Sequence, residues 1–425
     1  MDDPERFDHD FAAGCLHGSA PFCRQGCPFH LDVRAFIAKI KRGAWLSAYG
    51  IYQQAVVFPK VVSALCTAPC TAACPLQEKQ AAVRLADLER AAVAMAGAPA
   101  FPCLNIPGKQ QRVAVIGAGP SGLACAVRLG MKKYAVTVYE RQSDCGGVLK
   151  SFLPEQIFRE ELRQACAASQ IQLRLDCPAA TLEEVAADAV YIATGSGGAD
   201  FGAIGQPLPG VFLGGLLLGG DVLTAIAAGI ETAQAIEAFL KTGAMALAQA
   251  KAPDCVIPRP LLPADLEAPI LPAGAVYTRE EARQEAGRCL DCDCDRCYLI
   301  CDFMRHYRKR PVQLANMLDY GLNEQKLFAV SNTRLANSCS DCGACRQNCP
   351  IRIDTGYQIS LARQQMFARG AIPPAYHDYL LRDMAHAHSP AAFLFLAAPS
   401  GHNRYLFFPG CQMGASDPQY VKKRL

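Results

Sequence analysis

Arg112-Val113-Ala114-Val115-Ile116-Gly117-Ala118-Gly119-Pro120-Ser121-Gly122 decides the fold of the middle of this chain. An apolar β-type run leads directly into glycines at 117, 119 and 122, and Leu123–Leu129 then reads as a helix. A second β run, Ala135-Val136-Thr137-Val138-Tyr139, ends in Glu140, about 20 residues after the first glycines, as a dinucleotide fingerprint requires. Glycines at these positions let the backbone approach a pyrophosphate. The helix N-terminus faces its charge, and the carboxylate takes the ribose hydroxyls. The spacing predicts a βαβ dinucleotide-binding unit.

Working outward, Cys145-Gly146-Gly147-Val148-Leu149 supplies a second glycine turn, and Ala189-Val190-Tyr191-Ile192-Ala193-Thr194-Gly195 is a strand ending in Thr-Gly. Gly210-Val211-Phe212-Leu213-Gly214-Gly215 and Thr224–Gly229 read as a closing strand and helix. These features in this order resemble the FAD domain of the pyridine-nucleotide flavoproteins. The resemblance implies FAD held by Gly117, Gly119, Gly122, Glu140, Gly147, Thr194, Gly195 and Gly215. Two departures stand out. The family inserts a nicotinamide domain before the closing strand, where this chain has only residues 196–209, and a βαβ unit needs about 30 residues. The family's closing motif continues into an Asp that meets the ribityl chain; here Leu216 stands there and Asp221 follows later. Asp221 either substitutes or caps the next helix. No Cys pair at two- or four-residue spacing lies in 108–250, which argues against a dithiol redox centre.

The chain has 425 residues, enough for about three domains. It is 51% hydrophobic and 19% charged, with a net charge of +3 from mixed signs. That excludes a disordered tail and argues against a nucleic-acid surface. The first ten residues are polar and acidic, unlike a signal peptide. Val211–Gly220 and Ala391–Ala398 are the most apolar runs, and both fall short of the about 20 residues a bilayer needs. A cytoplasmic protein without a transmembrane segment is expected.

Twenty-two cysteines are the anomaly. Six fall at 15, 23, 27, 66, 70 and 74, and nine between 289 and 349. Cys103, Cys125, Cys145, Cys166, Cys177, Cys255 and Cys411 are scattered and read as small buried hydrophobes. Clustering at short spacing is what metal ligation requires, and without an export signal disulfides are not favoured. Five segments follow: a helical iron–sulfur domain over 1–107, an FAD-binding Rossmann-like domain over 108–250, a linker over 251–275, a ferredoxin-type dicluster domain over 276–375 and a stub over 376–425. Prolines at 253, 258, 260, 263, 269 and 272 make the linker stiff. In the first segment Val33, Phe36, Ile37 and Ile40 form a helical stripe. The expected class is multidomain, α+β and α/β.

Cys15-x2-Gly18-x4-Cys23-x3-Cys27-Pro28, then Cys66-x3-Cys70-x3-Cys74 and the segment Ala82–Arg90, resembles the start of the glutamate synthase small subunit and of dihydropyrimidine dehydrogenase. The resemblance implies two [4Fe–4S] clusters. Cys15, Cys23 and Cys74 would bind one; Cys27, Cys66, Cys70 and Glu89 would bind the other. Where the family has a cysteine this chain has Gly18, so the first cluster is one thiolate short. His17 or a water replaces it, or the cluster is lost. Four converging thiolates would also suit zinc, which the family match disfavours.

Cys339-x2-Cys342-x2-Cys345-x3-Cys349-Pro350 is the bacterial ferredoxin run, whose fourth cysteine ligates the other cluster of a pair. Cys289-x2-Cys292-x-Cys294-x2-Cys297-x3-Cys301 supplies the partner half. Cys301 would complete the Cys339 cluster. Cys349 would complete the second with Cys294, Cys297 and either Cys289 or Cys292, one of which is left spare. Tyr405–Gln412, containing Cys411, resembles the opening of the cysteine-rich CCG domain of heterodisulfide-reductase-type proteins. The chain stops at Leu425, so this is a truncated start, a remnant, or an ordinary buried cysteine.

Together these readings describe an iron–sulfur flavoprotein oxidoreductase that exchanges electrons with a protein partner or further redox subunit. A nicotinamide site on a partner chain, or an electron wire with a vestigial flavin site, are the alternatives. No acid–base residue stands out. Protein purified without oxygen should carry about 12–16 iron atoms with equal labile sulfide, counting three to four cubanes; stoichiometric zinc with little sulfide would overturn the reading.

Overall fold

The computed structural model describes residues 7–245 apart from 98, 103, 104, 180, 183, 186 and 207; 256–323 apart from 261, 263 and 264; 329–371; 378–387; 389; and 419. Cys103, Cys255 and the Tyr405–Gln412 segment with Cys411 lie outside the described residues. Two compact units emerge, one of Gly18–Cys294 and one of Met1–His17 with Asp295–Leu425.

The larger unit begins with helices α1 (Phe22–Gly26), α2 (Val33–Lys41), α3 (Trp45–Val56), α4 (Pro59–Leu65) and α5 (Leu85–Met95). Asp32 starts α2 by accepting from the Ala35 N–H at 3.1 Å, satisfying one of the amides that a helix start leaves unpaired. The residues α2 buries are Val33, Phe36, Ile37 and Ile40, the stripe its periodicity requires. Phe36 stacks obliquely on Tyr52 of α3, ring centres 5.9 Å apart.

A five-stranded parallel sheet follows, β1 (Arg112–Ile116), β2 (Ala135–Tyr139), β3 (Gln172–Arg174), β4 (Ala189–Ile192) and β5 (Val211–Leu213), in the order β3-β2-β1-β4-β5. Strands β1 and β4 run in register from Val113 opposite Ala189 to Ile116 opposite Ile192. Helix α6 (Pro120–Met131) crosses from β1 to β2, α7 (Glu155–Ala168) from β2 to β3, and α8 (Val222–Thr242) closes the domain against α6. By length and composition alone α8 could cross a bilayer, although neither apolar run singled out from the sequence contains it. Its apolar length serves the core: Ile226 and Ile236 are fully buried in the same cluster as Leu123 and Val127 of α6.

Beyond the linker, α9 (Arg279–Gly287) packs on α2 and α5. Its N-terminus is a capping box between Thr278 and Glu281. The unit thus runs through Cys294, so the first part of the second cysteine block belongs with the N-terminal helices.

The smaller unit is helical: α10 (Arg296–Ile300), α11 (Asp302–Tyr307), α12 (Pro311–Asn323), α13 (Ala329–Asn337), α14 (Ala344–Asn348), α15 (Thr355–Ala368) and α16 (Asp378–Ala387). Met304, Leu314, Leu318, Leu335, Ile359 and Met366 make its core. Helices α10 and α14, carrying Cys297 and Cys345, pack on each other.

A buried carboxylate is among the polar contacts that tie the helical layer to the Rossmann layer. Glu161 of α7 is buried and accepts from the Lys60 and Val61 N–H groups at 2.8 and 3.0 Å, at the start of α4. Burial pushes its carboxyl up to about 7, against the lowering effect of those two bonds. Glu161→Ala should destabilise the protein by about 1–3 kcal/mol, the cost of stranding buried donors. Because the folded pKa is raised, the group's contribution is full below its unfolded value and declines as pH rises through about 7. Thermal melts across pH 5–8 should show a shallower fall of stability with pH in Glu161→Gln than in the parent.

Candidate functional site

Three cradles, the second with a neighbouring cavity beside it, are built from the predicted residues. The first lies where β1 meets α6. Gly117 has φ +107°, and a Cβ on Gly122 would sit 2.0 Å from the Gly117 carbonyl oxygen. Only hydrogen fits at 122, and the helix start therefore closes tightly on the strand end. A Cβ on Gly119, in contrast, would meet nothing. The backbone there faces open space at the N-terminus of a twelve-residue helix, a geometry suited to an anionic pyrophosphate. Glu140, just past β2, accepts from the Ala118 N–H at 2.7 Å and the Gln142 N–H at 3.0 Å, which fixes the carboxylate beside the glycine loop. The second glycine turn comes to the same place: Gly146 donates to the Ala118 carbonyl at 2.9 Å, and a Cβ on Gly147 would stand 3.1 Å from Gly119 Cα. Thr194 and Gly195 follow β4, with the Thr194 hydroxyl donating to the Ala199 carbonyl at 2.9 Å. Gly215 packs on Ser121, whose hydroxyl bonds that of Tyr191 at 2.8 Å inside the core. Asp221 caps α8 through a reciprocal box with Thr224. Capping is therefore the role its geometry serves.

The second cradle is in the helical layer. Cys27, Cys66, Cys70 and Glu89 line one cavity with Tyr52 and Leu223. Local backbone explains the convergence. Helix α1 packs on the short 3-10 turn Pro69–Ala73, and a Cβ on Gly26 would lie 2.8 Å from Cys70 Cα. Glycine there lets the two cysteine-bearing turns touch. Glu89 is almost wholly buried and accepts from the Tyr52 hydroxyl at 3.1 Å. Burial pushes its carboxyl up to about 7. Burial, with the Glu89 charge second, pushes the Cys66 thiol up to about 12. A thiol so placed stays protonated unless a cation holds it as thiolate.

A neighbouring cavity is lined by Cys23, Cys74, Cys289 and Cys292, with Cys70 on the shared wall. Burial, then the charges of Cys289, Cys74 and Cys292, pushes Cys23 up to about 12. Spacing along the chain missed this grouping, because it joins residues more than 200 positions apart. The one available signal was the surplus cysteine in the 289–301 run. Cys15 is not among these thiols; it belongs to the other unit, as do Cys297 and Cys349, while Cys294 ends the larger one.

The third cradle is in the smaller unit. Cys301, Cys339, Cys342 and Cys345 line one cavity. Arg363 of α15 donates to the Ala336 and Cys339 carbonyls at 2.9 and 2.8 Å, pinning the turn where the run begins. Among the described residues no three His, Cys, Asp or Glu groups converge on a single-ion point. The thiols line cavities instead.

Residues 6–99 match the family described as dihydropyrimidine dehydrogenase domain II, 4Fe-4S cluster. Residues 288–354 match the 4Fe-4S dicluster domain, and 115–184 the NAD(P)-binding Rossmann-like domain. In sequence, this chain carries 4Fe-4S domains on both sides of a Rossmann domain. It is similar to the glutamate synthase [NADPH] small chain of Mycobacterium tuberculosis, 34% identical over 37% of this chain and 33% of that one. The putative oxidoreductase AegA of Escherichia coli is 31% identical over 44% of this chain and 30% of its own. The NADPH-Fe(3+) oxidoreductase subunit beta of Geobacter sulfurreducens is 33% identical over 28% and 18%. The chain thus spans a third or less of the length of these relatives. A solved structure, 6-hydroxypseudooxynicotine amine oxidase of Pseudomonas geniculata, is 29% identical over 21% of this chain and 15% of that one, with a TM-score of 0.19.

Gly122→Ala should abolish dinucleotide retention, since its methyl would overlap the Gly117 carbonyl at 2.0 Å. Acid extraction and absorbance of the released nucleotide checks this; full retention would exclude the glycine loop as the binding site.

Proposed function

We propose that this chain is an electron-transferring iron–sulfur flavoprotein, with FAD in the Rossmann cradle and [4Fe–4S] clusters in the cysteine-lined cavities. One observation carries the reading. Leu223, in the first turn of α8, lines the cavity of Cys27, Cys66, Cys70 and Glu89. The helix that closes the dinucleotide domain therefore forms part of the metal cavity's wall. Bound FAD would convert two-electron transfers into single-electron ones, and the clusters would carry those electrons singly.

The residues' own part is to hold and insulate. The amides at the start of α6 and the open backbone at Gly119 favour a diphosphate, and Glu140 stands ready for ribose hydroxyls. Tyr52 orients the Glu89 carboxylate by its hydroxyl. Val56, Val62 and Leu223 exclude water from that cavity, and such a dry shell shifts a cluster's reduction potential. The electron partner is a further protein, because the 14 residues of 196–209 leave no room for a nicotinamide domain. Thiols in this number stay available in the reducing cytoplasm, where we place the chain.

A second reading has a nicotinamide as the donor. The names of the matched Rossmann family and of the glutamate synthase small chain favour it. Stopped-flow mixing separates the two. The FAD reading expects slow or no bleaching of the flavin band by NADH or NADPH and rapid bleaching by dithionite or a low-potential ferredoxin. Rapid bleaching by either nicotinamide would promote the second reading.

A further inference from the structure

The N-terminal cluster set inherited from the family resemblance is short of donors. Position 18 is glycine, at φ +81°, and a Cβ built there meets nothing within 4 Å. Both backbone groups of Gly18 are already engaged: its N–H donates to Asp293 at 2.9 Å, and its carbonyl accepts from Arg34 at 3.1 Å. Cys15 belongs to the other unit. Of that set only Cys23 and Cys74 reach the cavity, together with two cysteines from the far end of the unit.

We infer that Cys23, Cys74, Cys289 and Cys292 form one four-thiolate [4Fe–4S] site, completed by the segment after α9 in place of Cys15 and position 18. The placement of that segment is over-determined. Arg34 of α2 donates to the Cys292 carbonyl at 3.3 Å and pairs with Asp293 at 3.2 Å. Lys41, at the end of the same helix, donates to Asp291 at 2.7 Å and reaches the Cys289 carbonyl at 3.5 Å. Upstream, Arg288 donates to the Ala81 carbonyl at 2.6 Å. The two thiols thus arrive on a strap fastened to α2 and to the Ala81 turn, within the helical layer that carries the other two.

The surroundings suit a cubane better than a lone ion. Four thiols line a void whose remaining wall is mainly apolar, with Phe22, Val33, Leu76, Val83 and Leu290 among its residues. A four-thiolate cubane is net negative, and Arg34 lines the cavity while Lys41 holds the strap. Cys70 belongs to the adjacent cavity yet lines this one too. The two sites therefore share a wall, close enough for electrons to pass between them. The assignment takes both Cys289 and Cys292 from the ferredoxin-type pair, where one was spare, and leaves Cys294, Cys297 and Cys349 as the thiols of that pair's second set.

This inference rests on the iron–sulfur reading of the N-terminal domain, and the test separates the two. Cys23→Ser, Cys289→Ser and the double variant are made in the full chain, purified without oxygen, and assayed for iron, labile sulfide and the EPR of the dithionite-reduced protein. Each single variant should lose about four irons, one cubane, and the double variant should lose the same four, with the same EPR component missing each time. Gly18→Cys should add no iron to the parent. Loss of about eight irons in the double variant, or retention of all iron in Cys289→Ser, overturns this ligand set and leaves the iron–sulfur reading standing. A parent without iron or sulfide overturns both. If the double variant does not accumulate, Cys23→Asp and Cys292→Asp keep an anionic ligand. Both should then shift the same EPR component, and shifts in two different components overturn the inference.

Discussion

A carboxylate with no exposed surface, Glu285, sets the geometry on which the larger unit depends. One oxygen accepts from the Arg84 N–H at 2.8 Å and from Arg288 at 2.7 Å, and the other from the Ile270 N–H at 2.9 Å. A buried ion pair of this kind adds little net stability, yet removing one partner strands a charge at a cost of about 3–5 kcal/mol. What it provides is position. The helix α9, the end of the linker and the start of α5 are all fixed to one side chain. The residues after α9 then run along α2, from Lys41 at its end to Arg34 in its first turn.

That path explains why the two cysteine-lined cavities of the larger unit lie side by side. Gly26 brings α1 against the Pro69–Ala73 turn, so Cys23 and Cys27 face Cys70 and Cys74 across a contact too close for any side chain at 26. The strap from α9 covers one end of this pair of turns, and α8 of the Rossmann domain covers the other through Leu223. Backbone approach, not side-chain affinity, creates both voids. Of the scattered cysteines among the described residues, Cys125 and Cys166 are buried as small hydrophobes would be, Cys125 on α6 with its thiol raised by burial alone, whereas Cys145 and Cys177 are only half-buried.

How legible this was in the sequence depended on range. The Rossmann sheet follows from patterns inside thirty residues: β2 spans the run read for it, β1 ends at the first glycine, and the buried face of α2 is the stripe at 33, 36, 37 and 40. Asp221 could be weighed as a cap from its place before Val222, and the reciprocal bonds with Thr224 follow that local logic. The grouping of Cys23 and Cys74 with Cys289 and Cys292 could not be read the same way. Spacing reports which thiols can converge within a turn or two, and nothing in one sequence reports that α9 returns to α2. The apolar length of α8 escaped notice for a related reason. Its alanines and threonines make no dense run, and only packing against α6 shows the helix as core.

The strap has a consequence in time. A ribosome adds roughly 5–20 residues per second, and more than 200 residues separate Cys74 from Cys289. For on the order of ten seconds or longer, the nascent N-terminal helices present their thiols in an open trough with one wall unmade. An iron–sulfur delivery system that acted early would meet an incomplete nest, and a product cut short before α9 would never acquire the wall. On the proposed ligand set, maturation of this region is tied to synthesis of the residues beyond the linker, which makes the strap a built-in record that translation has passed α9.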